Sequence, residues 1–389
     1  MKKITLFDSE EFEQLLPLTF TKPIGELRMG ILTFKERWEK RSNLPVDYCT
    51  REYLQVKYPF VSEKNTLWVN PSFFATQDLV DAVLVLQNRE ALVYGEKIIA
   101  VNGENKTDYN KTISYPNEVL YIAHTWDLFL NNDYAIRSDF ELLTSGRVSQ
   151  KISETNRFLA PENIFIEEGA KVEFSILNAE QGPIYVGRKA EIMEGCMVRG
   201  SLALCDYAKL NMGAKIYPGT TVGPHCKVGG EVNNSILMAY SNKGHDGFLG
   251  NSVIGEWCNL GADTNNSNLK NNYGTVKIWN YQKEQYLDTG LQFCGLIMGD
   301  HSKSAINTQF NTGTTVGICS NIFQSGFPPT LISSFSWGGA KNSPIFALDK
   351  AYEAADRMMN RREKQLSDAD KMILKHLFMA VSYTHLTLP

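Results

Sequence analysis

The sequence contains few histidines, no paired CxxC cysteines and no long apolar run. Six histidines occur in 389 residues, which leaves little material for a zinc site built from several imidazoles. The seven cysteines show no spacing typical of disulfide frameworks or zinc ribbons. No apolar stretch is long enough to span a bilayer, and a net charge of −4 without blocks of like charge disfavours membranes and nucleic acids as partners. These absences predict a cytoplasmic protein, and the start MKKITLFDSEEFEQLL is too short in apolar residues for a signal peptide.

A six-residue period runs through the middle of the chain. Every sixth position is aliphatic in one continuous run: Val186, Ile192, Val198, Leu204, Leu210, Ile216, Val222 and Val228. The same spacing includes positions 166 and 172 upstream, resumes at 248, 254 and 260, and continues more weakly from 298 to 322. Helices repeat every 3.6 residues and strands every 2, so neither explains a period of six. The period is typical of a hexapeptide-repeat parallel β-helix whose aliphatic residues point inward.

Glycines and small residues keep fixed places relative to these aliphatic positions. Glycine directly follows the aliphatic residue at 187, 223, 229, 255 and 261, and lies three residues after it at 169, 195, 213 and 219. Both sets are predicted to be corners, where a positive φ is easiest for glycine. The residue two before each aliphatic is small, which predicts that the cysteines at 196, 226 and 258 are packed inside as small hydrophobic residues.

The repeat falters at YSNKGHDGFLG, where a glycine-flanked loop carries His245. Imidazole titrates near neutral pH, so such a side chain suits the removal of a proton from an amine nucleophile. A histidine in a turn is also often only solvated, and that alternative stays open. A zinc site would need three converging histidines. Only His225, His245 and His301 lie in the repeat, and they show no short paired spacing.

The stretch SNKGHDGFLGNSVIGEWCNLGADT resembles the acetyltransferase half of the bifunctional bacterial enzymes that make UDP-N-acetylglucosamine. Those enzymes carry a similar S-x-x-G-H-x-x-x-L-G pattern, followed by I-G and N-I-G-A-G-T. A later segment, MGDHSKSAINTQF, resembles another coil of the same family, so the resemblance covers residues 160–325. It implies a left-handed parallel β-helix, a homotrimer, and acetyl-CoA held between neighbouring β-helices.

The resemblance also implies roles for individual residues. It places His245 on the catalytic base, Asn259 on an asparagine of the acceptor site, and Ala262 where the backbone meets coenzyme A. Lys243 lies two residues before the histidine, whereas the family lysine lies three before it. A phosphate-binding role for Lys243 is implied by that similarity.

Further along the loop two alignments remain open. Without a gap, Asn268 falls on another acceptor-site asparagine; with a gap, Asn272 and Tyr273 match an Asn-Tyr pair of the family. At other positions the sequence departs from the family. Tyr217, Phe248 and the segment EVNNS replace side chains that grip the sugar phosphate. The resemblance therefore supports acyl transfer more strongly than it supports glucosamine 1-phosphate as the acceptor.

Strand-like and helix-like segments alternate before residue 150. KKITLFD and TLWVN are predicted as strands, and EALVYGEKIIAV as a hairpin around Gly95. ILTFKERWEKR, PSFFATQDLVDAVLVLQ and HTWDLFLNNDYAIRSDFELL are predicted as helices. The alternation predicts an α/β domain over residues 1–150.

The segment LLPLTFTKPIGELR resembles the P-L-T-x-x-x-P signature of sugar nucleotidyltransferases, and the wider pattern resembles a divergent group fused to β-helices in Bacteroides-type bacteria. The resemblance implies a sugar phosphate and a nucleoside triphosphate as substrates, with Lys22 and Arg28 on the nucleotide phosphates. It also implies Mg²⁺, but Asn70 stands at the magnesium aspartate and coordinates this cation less strongly. FDSEEFEQ replaces the glycine-rich loop. Two alternatives stay open: the cations are surface residues, or the domain only binds.

The pattern predicts a β-helix domain over 160–335 and helices over 345–380. SDADKMILKHLFMAV begins with a capping-box pattern at Ser367 and Asp370. We expect these helices to cover the open end of the solenoid. The final SYTHLTLP leaves the helical pattern, and no role is assigned to His385.

Together these features predict a transferase of sugar-nucleotide biosynthesis. It would transfer a nucleotidyl group to a sugar 1-phosphate, N-acetylate an amino-sugar phosphate, or do both, in a pathway of the UDP-N-acetylglucosamine type. Two alternatives remain at this stage. One is a sugar-1-phosphate thymidylyltransferase whose β-helix serves only assembly, and the other is a non-catalytic scaffold that binds sugar nucleotides.

Overall fold

The computed structural model describes residues 3–60 and 66–387, with side chains described as far as residue 380. A mixed sheet of six strands forms the first part of the chain. Its strands are β1 (Lys3–Phe7), β2 (Val46–Cys49), β3 (Thr66–Val69), β4 (Glu90–Tyr94), β5 (Lys97–Asn102) and β6 (Lys111–Ser114). Its helices are α1 (Glu11–Gln14), α2 (Phe34–Ser42), α3 (Gln77–Leu84), α4 (Thr125–Leu130) and α5 (Asn132–Thr144).

The N-terminal sheet has the strand order β2-β1-β3-β5-β4-β6. Strand β1 runs parallel to β2 and β3, whereas β5 runs antiparallel to β3 and β4. The predicted α/β alternation and the hairpin at Gly95, where φ is +58°, are confirmed. Strands β2 and β6 escaped the prediction because four residues with mixed polarity show no clear alternation. The single helix predicted from residue 124 is two helices separated at Asn131.

Residues 157–338 form a parallel β-solenoid with three sheets. The first sheet contains β7 (Arg157–Leu159), β10 (Ile176–Asn178), β13 (Met197–Arg199), β16 (Lys215–Ile216), β19 (Glu231–Asn233) and β22 (Phe248–Gly250). The second contains β8 (Ile164–Ile166), β11 (Ile184–Val186), β14 (Leu202–Leu204), β17 (Thr220–Val222), β20 (Ile236–Leu237), β23 (Val253–Ile254), β28 (Leu296–Met298), β31 (Thr314–Val316) and β33 (Leu331–Ile332). The third contains β9 (Lys171–Val172), β12 (Glu191–Ile192), β15 (Lys209–Leu210), β18 (Lys227–Val228), β21 (Asn242–Lys243), β24 (Asn259–Leu260), β29 (Lys303–Ser304), β32 (Asn321–Ile322) and β34 (Trp337–Gly338). Outside these sheets, β25 (Asn265–Asn266) pairs with β30 (Gln309–Phe310), and β26 (Lys277–Asn280) forms a hairpin with β27 (Gln285–Asp288).

The strand register confirms the six-residue period. In the third sheet Ile192 is paired with Leu210 and Leu210 with Val228, and all three side chains are buried in one core column. At one position the prediction was one residue off. Leu249, not Phe248, is paired with Val232 and is 1% exposed. Because successive side chains of a strand point to opposite faces, a shift of one residue turns Phe248 away from the core.

Glycine is required for different structural reasons in the two sets of positions. The glycines at 169, 195, 213 and 219 have positive φ angles, as predicted for corners. Those at 187, 223, 229, 255 and 261 do not, so the corner prediction was wrong for them. At Gly229 a Cβ atom would lie 2.6 Å from the carbonyl oxygen of Gly244 in the next coil, so only hydrogen fits there. The cysteines at 196, 226 and 258 are buried as predicted.

The N-terminal domain covers the outer side of the second sheet. The middle residues of its strands point outward, yet Tyr185, Ala203 and Thr221 are buried. Ile136 of α5 packs in one cluster with Tyr185 and Ala203, and the Thr221 hydroxyl donates to the carbonyl of Gly30 at 3.0 Å. In the first sheet, by contrast, the outward residues of β13 are exposed. The second sheet is therefore an interface within the chain.

Two helices, α6 (Leu348–Asn360) and α7 (Asp368–Thr387), follow the solenoid. The predicted capping box is present, because the Asp370 backbone N–H donates to the Ser367 hydroxyl at 3.1 Å. Helix α7 continues to Thr387, beyond the predicted end at 380. The helices were expected to cap the solenoid end, but they pack mainly along its side. Trp257 and Cys319 share their buried cluster, and His376 stacks on Tyr53 of the N-terminal domain. The residues described include no helix long and apolar enough to cross a bilayer.

We expect Ile216→Asn to unfold the solenoid rather than to affect chemistry alone. Ile216 is 2% exposed and is stacked between Val198 and Val232. Losing its burial and leaving an unpaired amide inside should cost at least about 3 kcal/mol of unfolding free energy. Chemical denaturation followed by circular dichroism measures this loss. Met212→Asn, at a site 73% exposed, is the control, and equal midpoints for both variants would contradict the expectation.

Candidate active site

The histidine loop connects β21 with β22 and is anchored by an inward-pointing lysine. Lys243 is paired with Val228, so it occupies the column that elsewhere holds aliphatic residues. Its side chain is fully buried, and its Nζ donates to the carbonyls of His245 at 2.5 Å and Asp246 at 2.9 Å. The six-residue pattern fails here because the interior position holds a cation that fixes the loop. Gly247, with a φ of +113°, then permits the return of the chain.

The phosphate-binding role suggested for Lys243 stays a prediction, and this geometry gives the residue a different role. The ammonium group lies inside the solenoid and donates hydrogen bonds to backbone carbonyls, so it is not exposed to a ligand. Burial lowers the pKa of Lys243 to about 8, although the charges on Asp246 and Asp263 act in the other direction. Lys243 is therefore a positioning residue for the loop.

His245 faces a cavity of about 630 Å³ on the third sheet. Three of the residues singled out in the sequence line this cavity: His245, Asn259 and Ala262. The strand register explains the position of Asn259 at this cavity, because Asn259 is paired with Asn242 of the preceding coil. The imidazole is exposed, and its loop is further held by Asn211, whose Nδ2 donates to the Gly244 carbonyl at 2.6 Å. The volume matches that of sites for small molecules and cofactors.

Five cations among the described residues line this cavity, and none of them was singled out in the sequence. They are Lys227, Lys303, Arg357, Arg361 and Arg362. No carboxylate lines the cavity in the part of the chain that the structure describes. The basic run RMMNRREK gave a sequence signal, but only the packing of α6 against the solenoid connects it to His245. The cavity is therefore suited to an anionic ligand.

The structure does not bring the remaining acceptor-site candidates to this cavity within one chain. Asn268 donates its amide to Asn251 Oδ1 at 2.8 Å, which links neighbouring coils. Asn272 uses its side-chain oxygen to accept the Gly274 backbone N–H at 3.1 Å. Tyr273 is 67% exposed. Neither of the two alignments left open by the sequence therefore places its residues beside His245.

Lys22 was expected to bind nucleotide phosphates, but it joins the two domains instead. Its Nζ lies 2.9 Å from Asp300 Oδ2 and 3.0 Å from Glu256 Oε1, both in the solenoid. The side chain is 3% exposed. Burial alone would lower the pKa of Lys22, but the charges on Asp300 and Glu256 outweigh it and raise that pKa. The ammonium group is thus neutralised within the protein.

Arg28 is also buried and engaged. Its guanidinium donates to the carbonyl of Ile31 and lies 3.3 Å from Glu36 Oε2. The surface alternative does not describe these two cations, because both are buried and held by internal oxygen atoms. Their phosphate role stays a prediction. Lys22 and Arg28 stabilise the segment that carries the P-L-T-x-x-x-P signature.

The residues around Asn70 do not fit a magnesium ion. The Asn70 side-chain oxygen accepts the Ser72 backbone N–H at 3.0 Å and the Ser9 hydroxyl at 3.2 Å. The nearby Asp8 accepts from the Ile24 N–H at 3.0 Å and from the Thr50 hydroxyl, and burial raises the pKa of Asp8 to about 6. Mg²⁺ prefers carboxylate oxygens, whereas Asn70 offers a neutral amide oxygen that already accepts two hydrogen bonds. Among the described residues no group of three His, Cys, Asp or Glu is arranged to hold a metal.

Lys243→Met should separate positioning from folding. Methionine suits the apolar column and removes a buried charge, so the melting temperature should stay the same or rise. The histidine loop loses its anchor, and a displacement of about 1 Å costs up to about 10²-fold in rate. Differential scanning fluorimetry and acetyl-transfer kinetics measure the two effects, with Lys215→Met on an exposed strand position as control. A destabilised variant with an unchanged rate would contradict the positioning role.

The first domain matches a known family. Residues 4–148 match the family model described as "Sugar nucleotidyl transferase". The match ends before the solenoid begins. The chain therefore joins an α/β domain that matches this family model to a β-solenoid with a histidine-bearing cavity.

The chain is also similar, at low identity, to bifunctional proteins of the GlmU kind. It is 25% identical over 174 residues to the bifunctional sugar-1-phosphate nucleotidylyltransferase/acetyltransferase of Sulfurisphaera tokodaii, which is 44% of this chain and 42% of that protein. It is 35% identical over 106 residues to the bifunctional protein GlmU of Methanocaldococcus jannaschii, covering 27% and 25%. For GlmU of Cupriavidus pinatubonensis the identity is 26% over 165 residues, covering 36% of each chain. Each alignment spans less than half of the relative's own length.

Proposed function

We propose that the protein acts in sugar-nucleotide biosynthesis and that its solenoid transfers an acetyl group from acetyl-CoA to the amine of an amino-sugar phosphate. The observation that carries this proposal is the position of His245 at a cation-rich cavity together with Asn259 and Ala262. The similarity to bifunctional nucleotidylyltransferase/acetyltransferases supports the same class of reaction.

The proposed chemistry needs a base and a place for the oxyanion. The imidazole of His245 takes the proton from the attacking amine as nitrogen forms a bond to the thioester carbon. The tetrahedral intermediate then collapses, the C–S bond breaks, and the proton passes from imidazole to the leaving thiolate. Backbone N–H groups at the coil edge would stabilise the oxyanion. The exposed imidazole leaves its ring open to the substrate amine.

Nucleotidyl transfer by the first domain is a second candidate, supported by the family match over residues 4–148. The positions of Lys22, Arg28 and Asn70 disfavour nucleotidyl transfer, because their polar groups are bound to other residues of the chain. The other two candidates are a thymidylyltransferase with an assembling β-helix and a non-catalytic scaffold.

One experiment separates these candidates. Purified protein is incubated with acetyl-CoA, UTP, dTTP, Mg²⁺ and a panel of sugar phosphates, and the products are identified by mass spectrometry. We expect an N-acetylated sugar phosphate. Nucleotide-sugars without acetylation would replace the proposal by the nucleotidyltransferase, and no product with any mixture would favour the scaffold.

The proposed assembly is a homotrimer built through residues 160–325. The second sheet is covered by the chain's own N-terminal domain, and part of the third sheet is covered by α6. The first sheet, where the outward residues of β13 are exposed, is a face left for neighbouring chains. Light scattering of the full chain should give a mass three times that of the 43.8 kDa chain. A monomeric mass would remove an acetyl-CoA site between chains from the proposal.

A further inference from the structure

One wall of the His245 cavity belongs to the C-terminal helical region of the same chain. The last turn of α6 contributes Arg357, and the two residues that follow the helix are Arg361 and Arg362. The solenoid contributes Lys227 and Lys303 from strands β18 and β29. Cations from three separate chain segments therefore line one cavity of small-molecule size.

The positive charges of this wall are only partly compensated by the protein. Lys303 donates to the carbonyl of His301 at 2.9 Å, and Arg362 reaches a neutral amide oxygen, Asn242 Oδ1, at 3.5 Å. Arg357 is paired with Glu353 on the exposed side of α6. The described lining of the cavity contains no acidic side chain, so these cations repel one another across it.

The electrostatic environment of Lys227 agrees with this arrangement. Burial and then the neighbouring charges of Arg362, Lys209 and Arg361 lower the pKa of Lys227. Burial likewise lowers the pKa of Lys303. An anionic ligand would relieve the repulsion that Arg362 and Arg361 exert on Lys227. The whole chain has a net charge of −4, so the wall is a local feature and not part of a generally basic surface.

We propose that this wall is a phosphate-binding subsite, in which Arg361 and Arg362 from the chain's own C-terminal region act with Lys227 of the solenoid. Guanidinium groups bind phosphate oxygens through paired hydrogen bonds, and an ammonium group adds a point charge. The subsite lies in the cavity that His245 faces, so its ligand would present its reacting end to the imidazole. The inference rests on the proposed acetyl transfer for the identity of that reacting end.

Two phosphorylated ligands share this chemistry. One is the coenzyme part of acetyl-CoA, with a diphosphate and a 3′-phosphate, and the other is the phosphate of the acceptor sugar. Calorimetric titrations of the full chain with coenzyme A, 3′-dephospho-coenzyme A and glucosamine 1-phosphate distinguish them. The variants are Arg361→Gln/Arg362→Gln and, separately, Lys227→Gln. Arg157→Gln/Arg199→Gln, on exposed positions of the first sheet, removes the same number of charges elsewhere.

We expect the Arg361/Arg362 variant to bind at least one of these ligands about tenfold more weakly or worse, because a charge-assisted hydrogen bond contributes about 1.5–3 kcal/mol. A loss for coenzyme A with unchanged sugar-phosphate binding assigns the wall to the coenzyme, and the reverse assigns it to the acceptor. A loss that disappears with 3′-dephospho-coenzyme A identifies the 3′-phosphate. The Arg157/Arg199 control should bind like the unmodified chain.

Unchanged affinity for every ligand in both cavity variants, or no phosphate ligand bound by the unmodified protein, would overturn the subsite. If the arginine variant melts early, Lys227→Gln on the rigid strand decides. The proposed function is tested separately by product formation. If the wall binds ligand but no acetyl group is transferred, the proposed function is refuted and the subsite is supported. If acetyl transfer occurs and neither transfer nor binding changes in the variants, the subsite is refuted and the proposed function is supported.

Discussion

His245→Ala should lower acetyl transfer by about 10²–10⁴-fold, the usual contribution of a positioned general base. The imidazole is exposed on a loop whose backbone is held by Lys243 and Asn211, so its removal changes no core contact. Melting temperature and oligomeric mass should therefore be retained.

The control for this variant is Lys215→Ala, which changes an exposed strand position outside the lining of the cavity. It should retain most of the acetyl-transfer rate, measured by thiol release from acetyl-CoA. If the alanine variant is as active as the unmodified protein, His245 is a solvated turn residue. The acetyltransferase proposal would then lose its main support.

Lys22→Met should destabilise the protein by about 3–5 kcal/mol, the cost of leaving a buried charge without its partner. Asp300 is 5% exposed on its side chain and keeps only the Thr21 hydroxyl and the Glu256 N–H as donors. Lys35→Met removes a cation from a partly exposed pair with Glu39 and should change stability by less than about 1 kcal/mol. Lys22→Met/Asp300→Asn should recover part of the loss.

The pH dependence gives this prediction a second readout with a definite sign. In the unmodified chain burial would raise the pKa of Asp300, but the Lys22 charge and the hydrogen bonds from Lys22, the Thr21 hydroxyl and the Glu256 N–H together outweigh it and lower that pKa. The stability from this carboxylate is therefore present above its unfolded pKa and is lost as the pH falls through its lower folded pKa. In Lys22→Met the burial of Asp300 is opposed by the hydrogen bonds from Thr21 and the Glu256 N–H but no longer by the Lys22 charge, so the pKa of Asp300 should rise. Protonation of Asp300 should then recover part of the lost stability as the pH falls. If Lys22→Met is as stable as the unmodified protein but no longer binds nucleotide, Lys22 has the phosphate-binding role instead.

The sequence predicted the solenoid closely because its signal is local and repeated. Each coil meets mainly its neighbours, so one aliphatic residue every six positions is sufficient to define the interior column. The histidine loop was identified from the same local signal, because it is the place where the six-residue repeat stops. The signal failed by one residue at Phe248 and Leu249, because the loop resets the register. The left hand of the β-helix stays a prediction.

Side-chain roles in the site were predicted less well. His245, Asn259 and Ala262 lie at one cavity, and their neighbourhood follows from the coil register. The cationic wall was not predicted, because Arg361 and Arg362 lie about a hundred residues after His245 in the sequence. They reach the site only through the packing of α6. The continuous apolar strands of the second sheet, such as IYV and LAL, were a usable signal for the interface with the N-terminal domain.

The sequence by itself determined the two-part architecture, the inward column and the loop that carries His245, since periodicity and turn chemistry act over a few residues. Tertiary structure alone decided what each cation does. Lys22, Lys243 and Lys227 carry the same ammonium group, yet one joins two domains, one fixes a loop and one faces a cavity. Electrostatic roles depend on burial and on partners distant in the chain, such as the contact between Thr21 and Asp300 across 279 positions. No local pattern contains that information.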